Sequence, residues 1–396
     1  MTAATAAPRS PRNPRSLTVP GQERRLPWWH LVLTGAASLV LAGVILAVFG
    51  AFSIPAVVVL GFLLHLVVAY AYSRSREGRR WAKDRVMTLL VIGAFVLALL
   101  PLLSLLWEVI KNGAARFFGP GFLTADMAGV TGGMDAGGIG HAILGTVLIT
   151  LGATLISVPI GLFTSIFLVE YARSGWQKRL GNGITFLVDV MTGIPSIVAG
   201  LFALAIFISA TQILDFPSHQ GNPGIRMGIM GSVALSVLMI PTVVRSSEEM
   251  LRLVPLDLRE AAYALGVPKW LTIVKVVLRT AIAGLTTGVT LAIARVIGET
   301  APLLLTAEVL PKYNANLFNG QMQTLPTFIN SQYSQGLAVC RSKTVTNPFT
   351  GLEYMCSIHV NMDRAWGAAM ALIVIVLLLN IVARLVSHYF APKTRR

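Results

Sequence analysis

Eight stretches of the chain are almost unbroken apolar sequence: residues 31–50, 54–72, 86–107, 143–169, 184–210, 227–244, 281–307 and 366–386. A helix needs about 20 such residues to cross the hydrocarbon core of a bilayer. Only helices and closed barrels satisfy their backbone groups in lipid. These stretches are too long for barrel strands and lack period-two alternation, so helices are predicted. The expected fold is therefore all-α and integral to the membrane, with about eight transmembrane helices. The first two form a short hairpin, tied by Phe52-Ser53-Ile54-Pro55.

The polar segments between the spans give the organisation. Residues 1–29 are a basic, Pro- and Ala-rich tail expected to be disordered, with no cleavable signal peptide. Residues 30–85 are an accessory hairpin with a basic loop, 86–390 a six-span core, and 391–396 a second basic tail. Two longer connections lie on one side of the core. Residues 111–140 are Gly-rich, and residues 308–365 are mostly polar, with a short interfacial helix expected over 321–326. No internal repeat and no soluble domain of useful size is visible.

Charge orients this pattern. With the amino terminus inside, 24 of the 32 Lys and Arg residues fall on one face, seven on the other, and one, Arg295, inside a span. Lys and Arg are retained in cytoplasmic loops, so both termini are expected in the cytoplasm. The formal net charge of +15 would suggest nucleic-acid binding in a soluble chain. Here 55% of residues are hydrophobic and only 12% charged, so the basic residues read as topology and contact with anionic lipid, and no nucleic-acid partner is expected. Cys340 and Cys356 both fall in the outer segment 308–365, a compartment that permits disulfides, so a bridge is expected rather than two free thiols.

One cytoplasmic segment, 245–279, differs from the rest: it carries four acidic residues beside six basic ones. Asp257 is placed as a helix N-cap with Glu260 three residues on as its capping-box partner. Gly266 occupies the left-handed C-terminal position and Pro268 stops the helix. Ala261, Ala262 and Ala264 leave backbone open to a close neighbour, so the short helix is read either as a plain interfacial helix or as one that fits a groove on a partner protein.

Ionisable residues inside spans are costly and mark candidate functional sites. Arg295 and Glu299, four apart, are expected to share a helix face. They are read either as a self-neutralising structural pair or as a pathway pair, in which the Arg295 guanidinium meets a passing tetrahedral oxyanion and Glu299 orients it. Thr300 follows them and Pro302 opens the helix. In Thr192-Gly-Ile-Pro-Ser196, Pro195 removes a helix hydrogen bond, giving either a plain kink or a broken helix lining a cavity. Asp189 is read as a structural cap or pair, because it would repel an anion.

Glu260-Ala-Ala-x3-Gly266-x9-Val276-x-Leu278 resembles the EAA loop of ABC importer permeases, departing where the pattern usually ends in Pro and this chain has Arg279. Gly193-Ile-Pro-Ser-Ile-Val-Ala-Gly200, Gly298-Glu-Thr-Ala-Pro-Leu-Leu-Leu-Thr-Ala307 and Gln323-Thr-Leu-Pro326 narrow the resemblance to the PstA type of phosphate permease, over roughly residues 86–386. That resemblance implies a type I, MetI-like six-helix permease core, with the amino-terminal hairpin outside it. It implies a coupling helix through Asp257, Glu260, Ala261, Ala262 and Gly266, and a phosphate pathway past Arg295, Glu299, Thr300, Thr192, Pro195 and Ser196. It further implies a PstC-type permease in a heterodimer, a PstB-type ATPase dimer and a PstS-type phosphate-binding protein, in a bacterial cytoplasmic membrane. The chain has no Gly-x4-Gly-Lys-Ser/Thr loop, so it is expected to hold no cofactor and to be no enzyme, with ATP and Mg bound by the ATPase. A permease for molybdate or sulfate, a secondary transporter or channel without an ATPase, and a membrane sensor are the other readings.

Overall fold

The computed structural model describes residue 27, residues 29–213 and residues 226–390. The basic segments 1–26 and 391–396 therefore lie outside the described residues. The chain forms two compact units, Met1–Leu105 and Leu106–Arg396.

The first unit holds α1 (Trp29–Val48), α2 (Ile54–Arg76) and the start of α3 (Arg79–Phe117). Ser53 caps α2, accepting from the Ala56 amide at 3.4 Å, and Pro55 falls in the first turn, where its missing N–H costs nothing. Gly61 lets Leu39 of α1 lie against α2, so the predicted hairpin is present. The basic loop predicted over 74–85 is mostly helical, because α2 runs to Arg76 and α3 starts at Arg79. Gly78, at φ +93°, makes the turn between them. Most large side chains of these helices are exposed, as expected of surfaces that face lipid.

The second unit contains the end of α3, then α4 (Gly140–Ile166), α5 (Gly175–Thr192), α6 (Ser196–Ile213), α7 (Gly228–Arg252), α8 (Leu256–Ala264), α9 (Lys269–Thr272), α10 (Leu278–Val296), α11 (Ala301–Thr306), α12 (Leu325–Gln335) and α13 (Val360–Phe390). A π turn, Phe167–Tyr171, ends α4, and a second, Ile273–Val277, joins α9 to α10. Seven helices among the described residues are long and apolar enough to cross a membrane, and eight if α5 and α6 count as one span. That matches the expected all-α membrane fold. The one addition is a small antiparallel ribbon, β1 (Thr344–Thr346) with β2 (Glu353–Met355).

The core sits between α4, α7, α10 and α11, around Ile149, Leu235, Met239, Val243, Ala292 and Leu303. Small residues permit these close crossings. Gly152 lies against Ser232, whose hydroxyl donates across the crossing to the Ile149 carbonyl at 3.0 Å, and Gly161 lies against Val243. One end of the bundle carries α8; the other carries α12, the β-ribbon and the 118–139 connection.

Four further sequence expectations are corrected. The span predicted over 184–210 is two helices, α5 and α6, bent by 111° at Gly193-Ile194-Pro195, and α5 absorbs most of the loop expected at 171–183. Segment 245–279 is mostly helix, since α7 continues to Arg252 through i,i+3 and i,i+4 ion pairs and α9 begins at Lys269. The span predicted over 281–307 stops at Val296. The helix expected over 321–326 begins instead at Leu325, because Thr324 and Thr327 form a reciprocal cap and Pro326 falls in the first turn.

Candidate functional site

The α8 end is built around a buried arginine. Arg259 is 4% exposed and Glu170, in the π turn that ends α4, is 1% exposed. Their ion pair spans 3.1 Å. Arg259 also donates to the carbonyls of Leu251 at 2.8 Å and Val254 at 3.1 Å, which closes α8 back onto the end of α7. Lys269 adds a second tie: its Nζ donates to the Glu170 carbonyl at 2.6 Å and lies 4.4 Å from the Tyr171 ring centroid. α8 is therefore tied to the π turn that ends α4 and to the end of α7, and α9 is tied to the same π turn. A buried charge of this kind is costly unless paired; here the ion pair and the two carbonyls offset it, while Glu170 Oε1 and Arg259 Nε have no hydrogen-bond partner.

The outward face of α8 is open. Glu260, Ala261 and Gly266 are exposed, while Ala262 is buried against the bundle. Leu253, Leu256, Leu265 and Trp270 form an exposed apolar rim around them. Gly266 stands at φ +76°, with the Gly266 amide donating to Tyr263 and the Val267 amide to Ala262, the paired bonds of a Schellman cap. The predicted C-terminal stop is thus present. The predicted N-cap is not: Pro255 holds that position at φ −54°, so the helix starts before Asp257 and no capping box forms with Glu260. Asp257 lies in the first turn, where its charge still favours the helix dipole.

The second set of predicted residues lies at two chain breaks. α5 ends at Thr192, whose hydroxyl donates to the Asp189 carbonyl at 2.6 Å. Pro195 has no N–H to continue the helix, and α6 restarts at Ser196. The other break follows α10. Val296 is its last residue, Glu299 lies in the turn beyond, and Thr300 precedes α11. Arg295 and Glu299 therefore do not share a helix face, and no ion pair joins them among the described residues; Gly298 and Pro302 end the helix first. Arg295 is exposed, without a hydrogen bond or ion pair among the described residues, whereas Glu299 and Thr300 are half-buried. The two breaks meet through Gly200 of α6 and Pro302 of α11. A Cβ at Gly200 would stand 2.7 Å from the Pro302 Cα, so only glycine allows this approach.

Asp189 is ion-paired with Arg245 of α7, which also reaches Glu248 at 3.2 Å; Glu248 in turn binds Arg252 at 2.6 Å. Local sequence did not reveal Arg245, Arg259, Glu170 and Lys269 as a set. The only signal was charge where lipid-embedded helices should have little. Cys340 and Cys356 are joined by a disulfide, Cα atoms 5.8 Å apart, at the opposite end of the bundle. Among the described residues no group of three or more His, Cys, Asp or Glu side chains could hold a metal ion.

Comparison with known proteins places these features in a family. Residues 157–396 match the family described as binding-protein-dependent transport system inner membrane component. The phosphate transport system permease protein PstA 1 of Mycobacterium tuberculosis is 39% identical over 318 residues, covering 80% of this chain and 91% of that protein. The PstA of Mycobacterium leprae is 40% identical, covering 76% and 88%, and that of Yersinia pestis 33%, covering 81% and 94%. A solved structure of the MetNI methionine ABC transporter, in an inward-facing conformation, is 18% identical with a TM-score of 0.43 over 64% of this chain and 94% of that one. The chain belongs to the inner membrane components of binding-protein-dependent ABC transport systems, and within them to the PstA phosphate transport permeases.

Proposed function

We propose that this chain works as one of two related permeases that carry inorganic phosphate inward by alternating access. A PstC-type permease completes the pathway, a PstB-type ATPase dimer binds ATP and Mg and drives it, and a PstS-type protein delivers phosphate. α8 is the docking helix for the ATPase. The single observation that carries this reading is the clamp on α8: it is fixed from behind by Arg259 and presents an apolar rim of Leu253, Leu256, Leu265 and Trp270 in front. A partner that pushes on such a helix moves α4, α7 and α9 with it.

The bias of Lys and Arg toward alternate connections along the sequence, among them the one that carries α8, supports placing both termini, and α8, in the cytoplasm. Phosphate then arrives at the end bearing α12 and passes the two chain breaks. Arg295, exposed and unpaired among the described residues, is the cation offered to it, and Thr192, Ser196, Glu299 and Thr300 stand at the two breaks. The test is co-purification and transport. The chain should bring down a second permease and an ATPase, and phosphate supplied with its binding protein should stimulate ATP hydrolysis by that complex in lipid. Replacing Leu265 and Trp270 together with Asp should release the ATPase and leave the two permeases paired; ATPase retention by that variant would overturn α8 as the docking helix.

A further inference from the structure

A second cation stands at the opposite end of the bundle, outside the machinery above. Arg364, in the second turn of α13, is only 1% exposed. It donates to the carbonyl of Ala136 at 2.8 Å and to that of Met134, and makes two longer contacts, 3.4 Å to Asn361 Oδ1 and 3.5 Å to Gln332 Oε1. All four acceptors are neutral. No carboxylate pairs with Arg364 among the described residues; Asp135, the acid next to its backbone acceptors, is taken by Arg116 at 2.6 Å. Its Nε is buried with no hydrogen-bond partner. Asp135 and Asp363 act on Arg364 from a distance, but neither forms an ion pair with it, and a buried guanidinium without a direct ion-pair partner and with a spare N–H is an expensive arrangement.

Arg364 lines a cavity of about 180 Å³ between α12, α13 and the 127–132 and 309–311 segments. Gln323, Ser331, Gln332 and Gln335 supply its other polar side chains, and no Asp or Glu lines it. The Gln332 carbonyl oxygen faces Arg364, which leaves its amide N–H groups free to donate. Gln323 is fixed by His141 Nε2 at 3.1 Å, and the segment around it by the Leu325 amide donating to Thr146 at 2.8 Å. The cavity is thus held by α4, lacks negative charge and ends on a buried cation.

We propose that this cavity is an anion site that holds inorganic phosphate on the side from which phosphate arrives, before it reaches Arg295. A tetrahedral oxyanion would accept from Arg364 Nη1 and the Gln332 amide and supply a direct counter-charge, since the two long contacts that Nη1 makes are weak enough to yield to it. The assignment rests on the phosphate-permease reading for the identity of the anion and on the cavity alone for its place.

The test is equilibrium binding of radiolabelled inorganic phosphate to the full chain in nanodiscs, without the binding protein. Saturable binding is expected, weakened at least tenfold by Arg364→Met and several-fold by Gln332→Leu. Ser331→Phe, which fills the cavity and leaves the Arg364 bonds in place, should also abolish it. That variant decides the matter if Arg364→Met does not fold. Absence of saturable binding, or equal binding in Ser331→Phe, overturns the site. So does a result in which phosphate is not held but Arg364→Met weakens capture of the phosphate-loaded binding protein, since the cavity would then receive an acidic side chain of that protein. Phosphate uptake by wild-type vesicles is measured in parallel: lack of ATP-driven uptake there overturns the transport reading, whereas uptake without cavity binding overturns the cavity alone.

Discussion

Arg259 and Arg295 show how differently two arginines of one chain are used. Arg259 is buried, paired with Glu170 and bonded to two carbonyls that end α7. Arg259→Met would leave Glu170 buried with only the exposed Arg173 at 3.6 Å to balance it. Removing one partner of a buried pair costs about 3–5 kcal/mol. The expected result is a lower melting temperature and loss of phosphate-stimulated ATP hydrolysis, with Arg259→Lys in between; a wild-type melting temperature for Arg259→Met would refute the clamp. Arg295 is exposed and unpaired among the described residues, so Arg295→Gln should change stability by no more than about 0.5 kcal/mol. It should nevertheless abolish phosphate uptake while the complex assembles normally. Unchanged uptake would remove Arg295 from the pathway. The sequence pointed to Arg295 because an arginine in an apolar span is conspicuous. It did not point to Arg259, which sits beside Glu260 in an ordinary helical run, because its partner lies on a helix far away in the chain.

At the level of elements, glycine fixes two geometries that other residues would not. Gly266 ends α8 at φ +76° with open space around it, so a side chain there meets no neighbour in this chain. Gly266→Val would cost about 1–2 kcal/mol through the left-handed backbone alone. It would also place a branched side chain on the docking face, so ATPase capture in a pull-down should fall well below what that modest cost accounts for; full capture and coupling would show that the face is free. Gly200 is the reverse case, an open backbone pressed against Pro302. Gly200→Val should force α6 from α11 at about 1–3 kcal/mol and reduce uptake, and a wild-type melting temperature would contradict the close crossing. Helix existence was legible from hydropathy, and the Gly266 stop from its spacing. The size of the bend between α5 and α6, 111°, and the end of α10 at Val296 were not, because an apolar run of constant composition gives no sign of how far its direction changes. Pro195 and Pro302 marked the places without fixing the angles.

Across the whole molecule the two ends of the bundle answer to different chemistry, and that difference yields a clean test. The α8 end is held by ion pairs and helix caps. The opposite end is held by the Cys340–Cys356 disulfide, the β1–β2 ribbon and the backbone bonds of Met134 and Ala136 to Arg364. Hydropathy marked 308–365 only as a polar connection, since strands of three residues and a helix capped by Thr324 leave little periodic signal. The paired cysteines and a short helix, expected a few residues too early, were its legible features. The bridge closes a separation of 16 residues around the ribbon, and a loop of that size is worth about 3 kcal/mol. Cys356 also pairs with Met134 through an isolated bridge, so the bond ties the ribbon to the connection that accepts from Arg364. Cys340→Ser with Cys356→Ser, or mild reduction of the wild type, should therefore lower thermal stability and loosen hydrogen-exchange protection over residues 127–136 and 338–358. It should reduce uptake of phosphate delivered by the binding protein. ATPase capture at α8 should be unaffected, because none of the clamp residues touches this end. Loss of ATPase capture on reduction would mean that the two ends are coupled through the bundle at rest, and that α8 is not held by Arg259, Glu170 and Lys269 alone.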